Sequence, residues 1–141
     1  MKACGPLLVM ALGSLLGCTS TAGSRAVLPV PAKVADYQPS NPLSQRTTGL
    51  LGRSVFRSGE GDAFQVLVED LLVQPSSTAV SVPLSEAAVI ETRSGEGEAD
   101  IAGTHVQLKQ GTVVAVSVGQ SFDVQPRGGP VELRVVQIAS R

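Results

Sequence analysis

The chain has few of the side chains that carry out most enzyme chemistry. It contains two cysteines, one histidine and no tryptophan, and only 3% of its 141 residues are aromatic. Aromatic platforms for stacking sugars or bases are therefore scarce. The formal net charge is −1 and the basic residues form no cluster, which argues against a nucleic acid partner.

The first 17 residues have the pattern of an export signal. Lys2 supplies one positive charge, and the apolar run over residues 6–16 is too short to span a bilayer as a mature helix. The run ends in Leu15-Leu16-Gly17-Cys18, which resembles the lipobox of bacterial lipoproteins. The resemblance implies cleavage of the signal peptide (residues 1–17) and a diacylglyceryl group on Cys18. The alternative is an ordinary secretory signal followed by a chance cysteine.

Lipidation at Cys18 would leave the mature protein without a free thiol and would fix it to a membrane. Cys4 is lost with the signal peptide, so no thiol remains for redox or metal chemistry. Several acyl chains, at about 0.8 kcal/mol per buried methylene, anchor a protein stably. We therefore expect a cell-envelope protein whose lipid inserts into a membrane. Thr19, where Asp would favour the inner membrane, favours the outer membrane. The sequence leaves open whether the protein faces the periplasm or the cell surface.

Residues 18–42 are expected to be the lipidated start and a proline-rich tether. Small residues come first, and prolines follow at positions 29, 31, 39 and 42, a composition that buries little surface. The tether would hold the domain away from the membrane. The alternative is that the segment at 27–31 docks on a partner as an extended strand.

Residues 43–141 predict an all-β domain. Valine-rich runs recur about every 8–12 residues with turn signals between them, which is typical of a sandwich or barrel. Residues 64–73 predict a strand with a bulge at Glu69-Asp70. Residues 88–92 and 98–101 predict the two arms of a hairpin closed by Gly95-Glu96-Gly97.

From about residue 64 to 138 the chain resembles the cupins, a family of small jelly-roll barrels. Two stretches carry the resemblance. Residues 89–103 run from an apolar strand through Gly95-Glu96-Gly97 to a further glycine, and residues 106–119 place an apolar strand between Gly111 and Gly119. The resemblance implies a small cupin-like jelly roll or β-barrel. It also implies that a homodimer is one expected partner, because cupins commonly pair through sheet faces.

The metal ligands of the cupins are missing from this chain. If Gly95 ends the first family motif, G-x5-H-x-H-x3,4-E-x6-G, its Glu falls on Ala88. Its histidines fall on Val82 and Leu84, or with the longer spacing on Ser81 and Pro83. In the second motif, G-x5-P-x-G-x2-H-x3-N, Phe122 replaces the histidine. A two-residue slip would bring a carboxylate to the Glu position but would leave valines at both histidine positions. Such a set does not hold a transition metal.

We therefore expect no metal and no other cofactor. Our hypothesis is that the former metal site has become apolar core, made of Val82, Leu84, Ala88 and Phe122. The alternative for catalysis is the metal-independent chemistry of some cupins, which uses a histidine with an aspartate. His105 is the one histidine, and nothing in the sequence spacing brings it to Asp100 or Asp123, so we assign no catalytic residue.

Two charged stretches near the start of the domain have alternative interpretations. Arg53 and Arg57, four residues apart, are expected to be solvated charges on an edge strand, and the alternative is that they receive an anionic ligand. Residues 59–62 (Gly-Glu-Gly-Asp) are expected to be a hairpin turn, and the alternative is a Ca²⁺-binding loop.

These features favour a non-enzymatic envelope lipoprotein that acts as a binding or scaffolding module with an envelope protein partner. The alternative is a binder of a small, sugar-like molecule or a metal-independent isomerase or epimerase. A deep polar pocket with His105 or Arg93 pointing into it would favour the alternative.

Overall fold

Apolar and polar residues alternate along the strands of this domain. The computed structural model describes residues 41–58 and 64–140, and these form ten β-strands and no helix, which confirms the predicted all-β class. In the last strand Val131, Leu133 and Val135 are buried and Glu132 is exposed. The strands are β1 (Ser44–Thr47), β2 (Leu50–Arg57), β3 (Phe64–Val73), β4 (Val80–Ser81), β5 (Ala87–Ser94), β6 (Gly97–Ile101), β7 (Thr104–Leu108), β8 (Val113–Val116), β9 (Phe122–Pro126) and β10 (Val131–Ser140).

Several predicted features lie outside the described residues. They are the signal peptide at 1–17, the lipidated Cys18, the tether up to residue 40 with its alternative docking strand at 27–31, and the turn at 59–62. The described part of the chain contains no helix that is long and apolar enough to cross a membrane.

The strands form two antiparallel sheets. The larger sheet has the order β1-β2-β3-β10-β5-β8, and the smaller sheet has the order β4-β9-β6-β7. Strands β3 and β10 pair without a break in register, from Val131 opposite Val73 to Ser140 opposite Phe64. The apolar inner faces of the two sheets supply the core, as in other β-sandwiches. Strand β1 pairs with β2, and β2 pairs with β3 of the same chain.

The hairpin predicted over residues 88–101 is wrong. Strand β5 pairs with β10 and β8 in the larger sheet, whereas β6 pairs with β7 and β9 in the smaller sheet. Gly95-Glu96-Gly97 is therefore a corner where the chain passes from one sheet to the other. Gly95 has φ +83°, and a Cβ there would clash with the carbonyl oxygen of Pro130. The corner needs glycine because backbone passes directly against it.

The bulge predicted at Glu69-Asp70 is also misplaced. Strand β3 keeps a regular register with β10 through both residues, and the irregularity lies on its other neighbour, between Ser54 and Phe56 of β2. The extra residue there, Val55, is 4% exposed. The two carboxylates that interrupt the apolar pattern form ion pairs, Glu69 with Arg46 of β1 and Asp70 with Arg134 of β10.

Candidate functional site

The four positions predicted to form the former metal site lie in or against the core. Phe122 is 0% exposed, Val82 3% and Ala88 4%, and Leu84 packs partly buried against the same cluster. The backbone N–H of Val82 donates to the carbonyl oxygen of Phe122 at 2.9 Å, which joins the end of β4 to the start of β9. Ala88 belongs to β5 of the larger sheet, so both sheets contribute to this place.

These side chains do not fit the metal that the cupin resemblance implies. Transition metals in proteins are bound by nitrogen, oxygen or sulfur atoms, and three aliphatic side chains and a phenyl ring offer none. Within residues 41–58 and 64–140, no group of three or more His, Cys, Asp or Glu side chains is placed to hold a metal ion. The equivalence of these positions with the cupin ligand positions stays a prediction.

A polar groove lies at the end of the sandwich where β10 finishes. It has a volume of about 170 Å³ and includes Arg57, Gln65 and Glu86 in its lining. The side chain of Gln137, only 5% exposed, also lines it. Its Oε1 accepts hydrogen bonds from the backbone N–H of Ser85 at 3.0 Å and from the Ser85 hydroxyl at 3.1 Å. The sequence signal was a glutamine among the otherwise apolar inward positions of β10.

The outer face of the larger sheet carries an ion cluster around Asp70. Its Oδ1 accepts a hydrogen bond from Arg134 Nε at 2.9 Å, and its Oδ2 accepts from Arg134 Nη2 at 3.2 Å and Arg53 Nη2 at 3.3 Å. Burial raises the pKa of Asp70, but the hydrogen bonds and charges of Arg134 and Arg53 outweigh it, so the pKa lies below its usual value. Asp70 is therefore anionic at neutral pH, and its charge offsets those of the arginines.

The two arginines that the sequence paired lie on different faces of the sheet. Arg53 lies opposite Asp70, whereas Arg57 lies opposite Leu67, on the other face of β3. The bulge at Val55 causes this separation, because residues four apart in a regular strand would share a face. Strand β1 pairs only with Leu50–Gly52, so Arg53 and Arg57 lie on the part of β2 that has no strand partner on its outer side within the described residues.

His105 lies on the outer face of the smaller sheet, together with both aspartates that were considered as partners. Asp100 is opposite His105 on β7 and opposite Asp123 on β9, and His105 Nδ1 lies 3.4 Å from Asp100 Oδ2. The sequence spacing gave no sign of this row, which cross-strand register forms. The imidazole is 69% exposed, so among the described residues it lies open to solvent and is not enclosed.

The other half of the larger sheet's outer face is apolar. Phe64 is 59% exposed, Ile138 49%, Val89 44% and Val113 60%. These residues come from the adjacent strands β3, β10, β5 and β8, so they share one surface. Contiguous exposed apolar surface of this kind marks interaction sites. We call this surface the apolar zone and define it by Phe64, Val66, Val89, Val113, Ala115, Val136 and Ile138.

No model of a known protein family and no curated protein sequence matches this chain. Solved structures do match. An RmlC-like cupin from Shewanella frigidimarina has a TM-score of 0.61 at 11% identity, covering 78% of this chain and 94% of that one. The cupin domain of Cnp3 from Schizosaccharomyces pombe has a TM-score of 0.55 at 18% identity, covering 73% and 71%. Hydroxypropylphosphonic acid epoxidase from S. wedmorenis has a TM-score of 0.59 at 13% identity, covering 74% and 59%.

These similarities establish the fold of the domain. It is a cupin-like jelly roll, as the sequence resemblance implied. Identities of 11–18% carry no activity from one protein to another, because the same fold supports unrelated functions.

Proposed function

We propose that this protein is a lipid-anchored module of the cell envelope that binds or scaffolds other molecules through the surfaces of a metal-free cupin-like domain. The observation that carries the proposal is the packed interior, in which Phe122, Val82 and Ala88 are at most 4% exposed. A metal-dependent enzyme of this fold needs ligand atoms inside the barrel. With apolar side chains in that place, the outward faces are the surfaces left for function.

The packed interior predicts that the purified protein takes up no transition metal. After incubation with Fe²⁺, Mn²⁺, Ni²⁺ and Zn²⁺ and removal of excess metal, mass spectrometry should find less than about a tenth of an equivalent of each. Close to one tightly held equivalent would contradict the proposal and would favour an enzyme.

The lipid anchor rests on the lipobox at residues 15–18. The full chain should incorporate an alkyne-tagged fatty acid and sediment with the outer-membrane fraction. Cys18→Ser should lose both properties. Cys4→Ser is the matched control and should keep both, because Cys4 belongs to the part that is cleaved. An unlabelled wild-type chain, or label that persists in Cys18→Ser, would contradict lipidation at this position.

One observation favours the second candidate, a binder of a small sugar-like molecule or a metal-independent isomerase or epimerase. The polar groove beside Gln137 offers the guanidinium of Arg57 as a donor and the carboxylate of Glu86 as an acceptor for hydroxyl groups. His105 and Arg93 do not line this groove. Arg93 lines a different groove of about 180 Å³ on the outer face of the larger sheet, together with Arg53, Asp70 and Arg134. Ligand-observed NMR with neutral sugars and sugar acids tests this candidate. Binding that Gln65→Ala and Arg57→Ala weaken would favour it, and no binding would favour the surface module.

A further inference from the structure

A charged groove lies in the half of the larger sheet's outer face that is away from the apolar zone. Its volume is about 180 Å³, and three arginines and two carboxylates contribute to its lining. We call it the arginine groove and define it by these charged residues, which are Arg53, Asp70, Arg93, Glu132 and Arg134. Their formal charges sum to +1, so the groove offers a small excess of positive charge to a ligand.

The backbone of β5 is irregular where Arg93 reaches the groove. Thr92 lies opposite Leu133 and Ser94 lies opposite Glu132, so Arg93 is an extra residue in the register with β10. Such an extra residue is a β-bulge, which redirects a side chain and is frequent next to functional sites. The bulge therefore presents Arg93 to the groove from the side of β5.

The other two arginines are held in place by Asp70. Its carboxylate accepts hydrogen bonds from Arg134 and Arg53, and its side chain is only 16% exposed. The side chains of Arg134 and Arg53 are 23% and 28% exposed. Arginines whose direction is already fixed lose less side-chain entropy when a ligand binds. Asp70 therefore positions both guanidinium groups beside the groove.

Arg93 is the arginine that a ligand engages at the lowest cost. It forms an ion pair with Glu91 at 3.2 Å, and the two side chains are 47% and 40% exposed. Exposed ion pairs contribute little to stability, so replacing Glu91 by the carboxylate of a ligand costs little. Glu132 lines the same groove and repels additional negative charge. The lining therefore suits an anion with a single charge.

The apolar lining and the volume restrict the rest of the ligand. Leu72 of β3 and Leu43, which is 41% exposed, line the groove together with the charged residues. A water molecule occupies about 30 Å³ in the liquid, so the groove has room for about six waters. A ligand that fills it is therefore small, and it gains from a short apolar stem that contacts leucine.

We propose that the arginine groove binds a small organic monocarboxylate, with the carboxylate at Arg93 and Arg134 and the apolar stem toward Leu72. The planar guanidinium group presents parallel N–H donors that match the two oxygens of a carboxylate. The groove lies on an outer face of the domain and not in its interior. This inference names the ligand class of the surface module proposed above and rests on that function.

Titration of the full chain in detergent with butyrate, followed by ligand-observed NMR at constant ionic strength, tests the site. Butyrate should bind more tightly than n-butanol, which has a similar stem but no charge, and more tightly than inorganic phosphate, which has more negative charge and no stem. Arg93→Gln should weaken the binding of butyrate at least about tenfold, because it removes a hydrogen bond between two charged groups.

Arg127→Gln is the matched control and should bind butyrate as the wild type does. Arg127 is also an exposed arginine paired with a glutamate, Glu98, but it follows β9 of the smaller sheet. Both substitutions change exposed side chains, so the domain should still fold, which an unchanged urea midpoint of unfolding verifies.

Three results would overturn the carboxylate site. They are the absence of butyrate binding, equal affinity of Arg93→Gln and wild type for butyrate, and binding of n-butanol or inorganic phosphate at least as tight as that of butyrate. None of them touches the proposed function, which fails instead on bound metal or on absent lipid.

Discussion

Replacing Phe122 with alanine tests whether the interior of the domain is a packed core. Phe122 is 0% exposed at the start of β9, opposite Ile101 of β6. Truncating a buried phenylalanine to alanine typically costs about 3–5 kcal/mol, through lost transfer free energy and the cavity left behind. Domains of this size have a free energy of unfolding of about 5–15 kcal/mol, so the variant should lose a large share of its stability. The melting temperature should fall by more than about 12 °C.

The measurement is urea unfolding of residues 18–141 with Cys18→Ser, which removes the signal peptide and the lipid. The sequence has no tryptophan, so far-UV circular dichroism is the suitable probe. Val118→Ala is the control, because Val118 is 64% exposed and its truncation should change the free energy of unfolding by less than about 0.5 kcal/mol.

A loss below about 1 kcal/mol for Phe122→Ala would refute the reasoning, because a packed phenylalanine cannot be removed so cheaply. The space around residue 122 would then be loosely filled or open. In that case the interior could accept a ligand, and the small-molecule alternative would replace the surface module.

Three further substitutions test the charges, the corner and the buried amide. Asp70→Asn should lower the melting temperature. The folded-state pKa of Asp70 is lowered, so the difference in melting temperature between this variant and wild type should be largest above pH about 4. The difference should vanish as the pH falls through the folded-state pKa. Gly95→Ala and Gly111→Ala each place alanine at φ near +84°, which costs about 1–2 kcal/mol. Only Gly95→Ala also adds a backbone clash, so its urea midpoint of unfolding should be clearly lower than that of Gly111→Ala. Gln137→Met removes the acceptor of two hydrogen bonds from Ser85 and should lower the free energy of unfolding by about 1–3 kcal/mol in the same assay. For each of the three substitutions, an unchanged unfolding midpoint would contradict the expectation.

Much of the fold could be predicted from local pattern. In β10, alternation places Val131, Leu133 and Val135 inward, and the structure agrees. Glycines at the ends of apolar runs marked where strands stop, because positive φ is accessible to glycine at little strain. The absence of ligand atoms at positions 82, 84, 88 and 122 is likewise a property of the sequence.

Pairing between strands could not be predicted in the same way. The turn signal at Gly95-Glu96-Gly97 looks the same whether the chain returns in one sheet or crosses to another, and only the partners of β5 and β6 distinguish the two. The register that brings His105, Asp100 and Asp123 into one row joins three strands whose separation in sequence gives no sign of it.

The sequence by itself determined the all-β class, the strand positions, the apolar residues at positions 82, 84, 88 and 122 and the lipobox on which the anchoring proposal rests. These depend on residue type and local spacing, which act over one strand or one turn. The tertiary structure alone decided which residues share a surface. Val135 and Val136 are adjacent and identical in type, yet Val135 is buried in the core and Val136 lies on the outer face with the apolar zone. Alternation along β10 distinguishes the two directions, but only strand pairing places Val136 beside Val68 and Val89 on one surface.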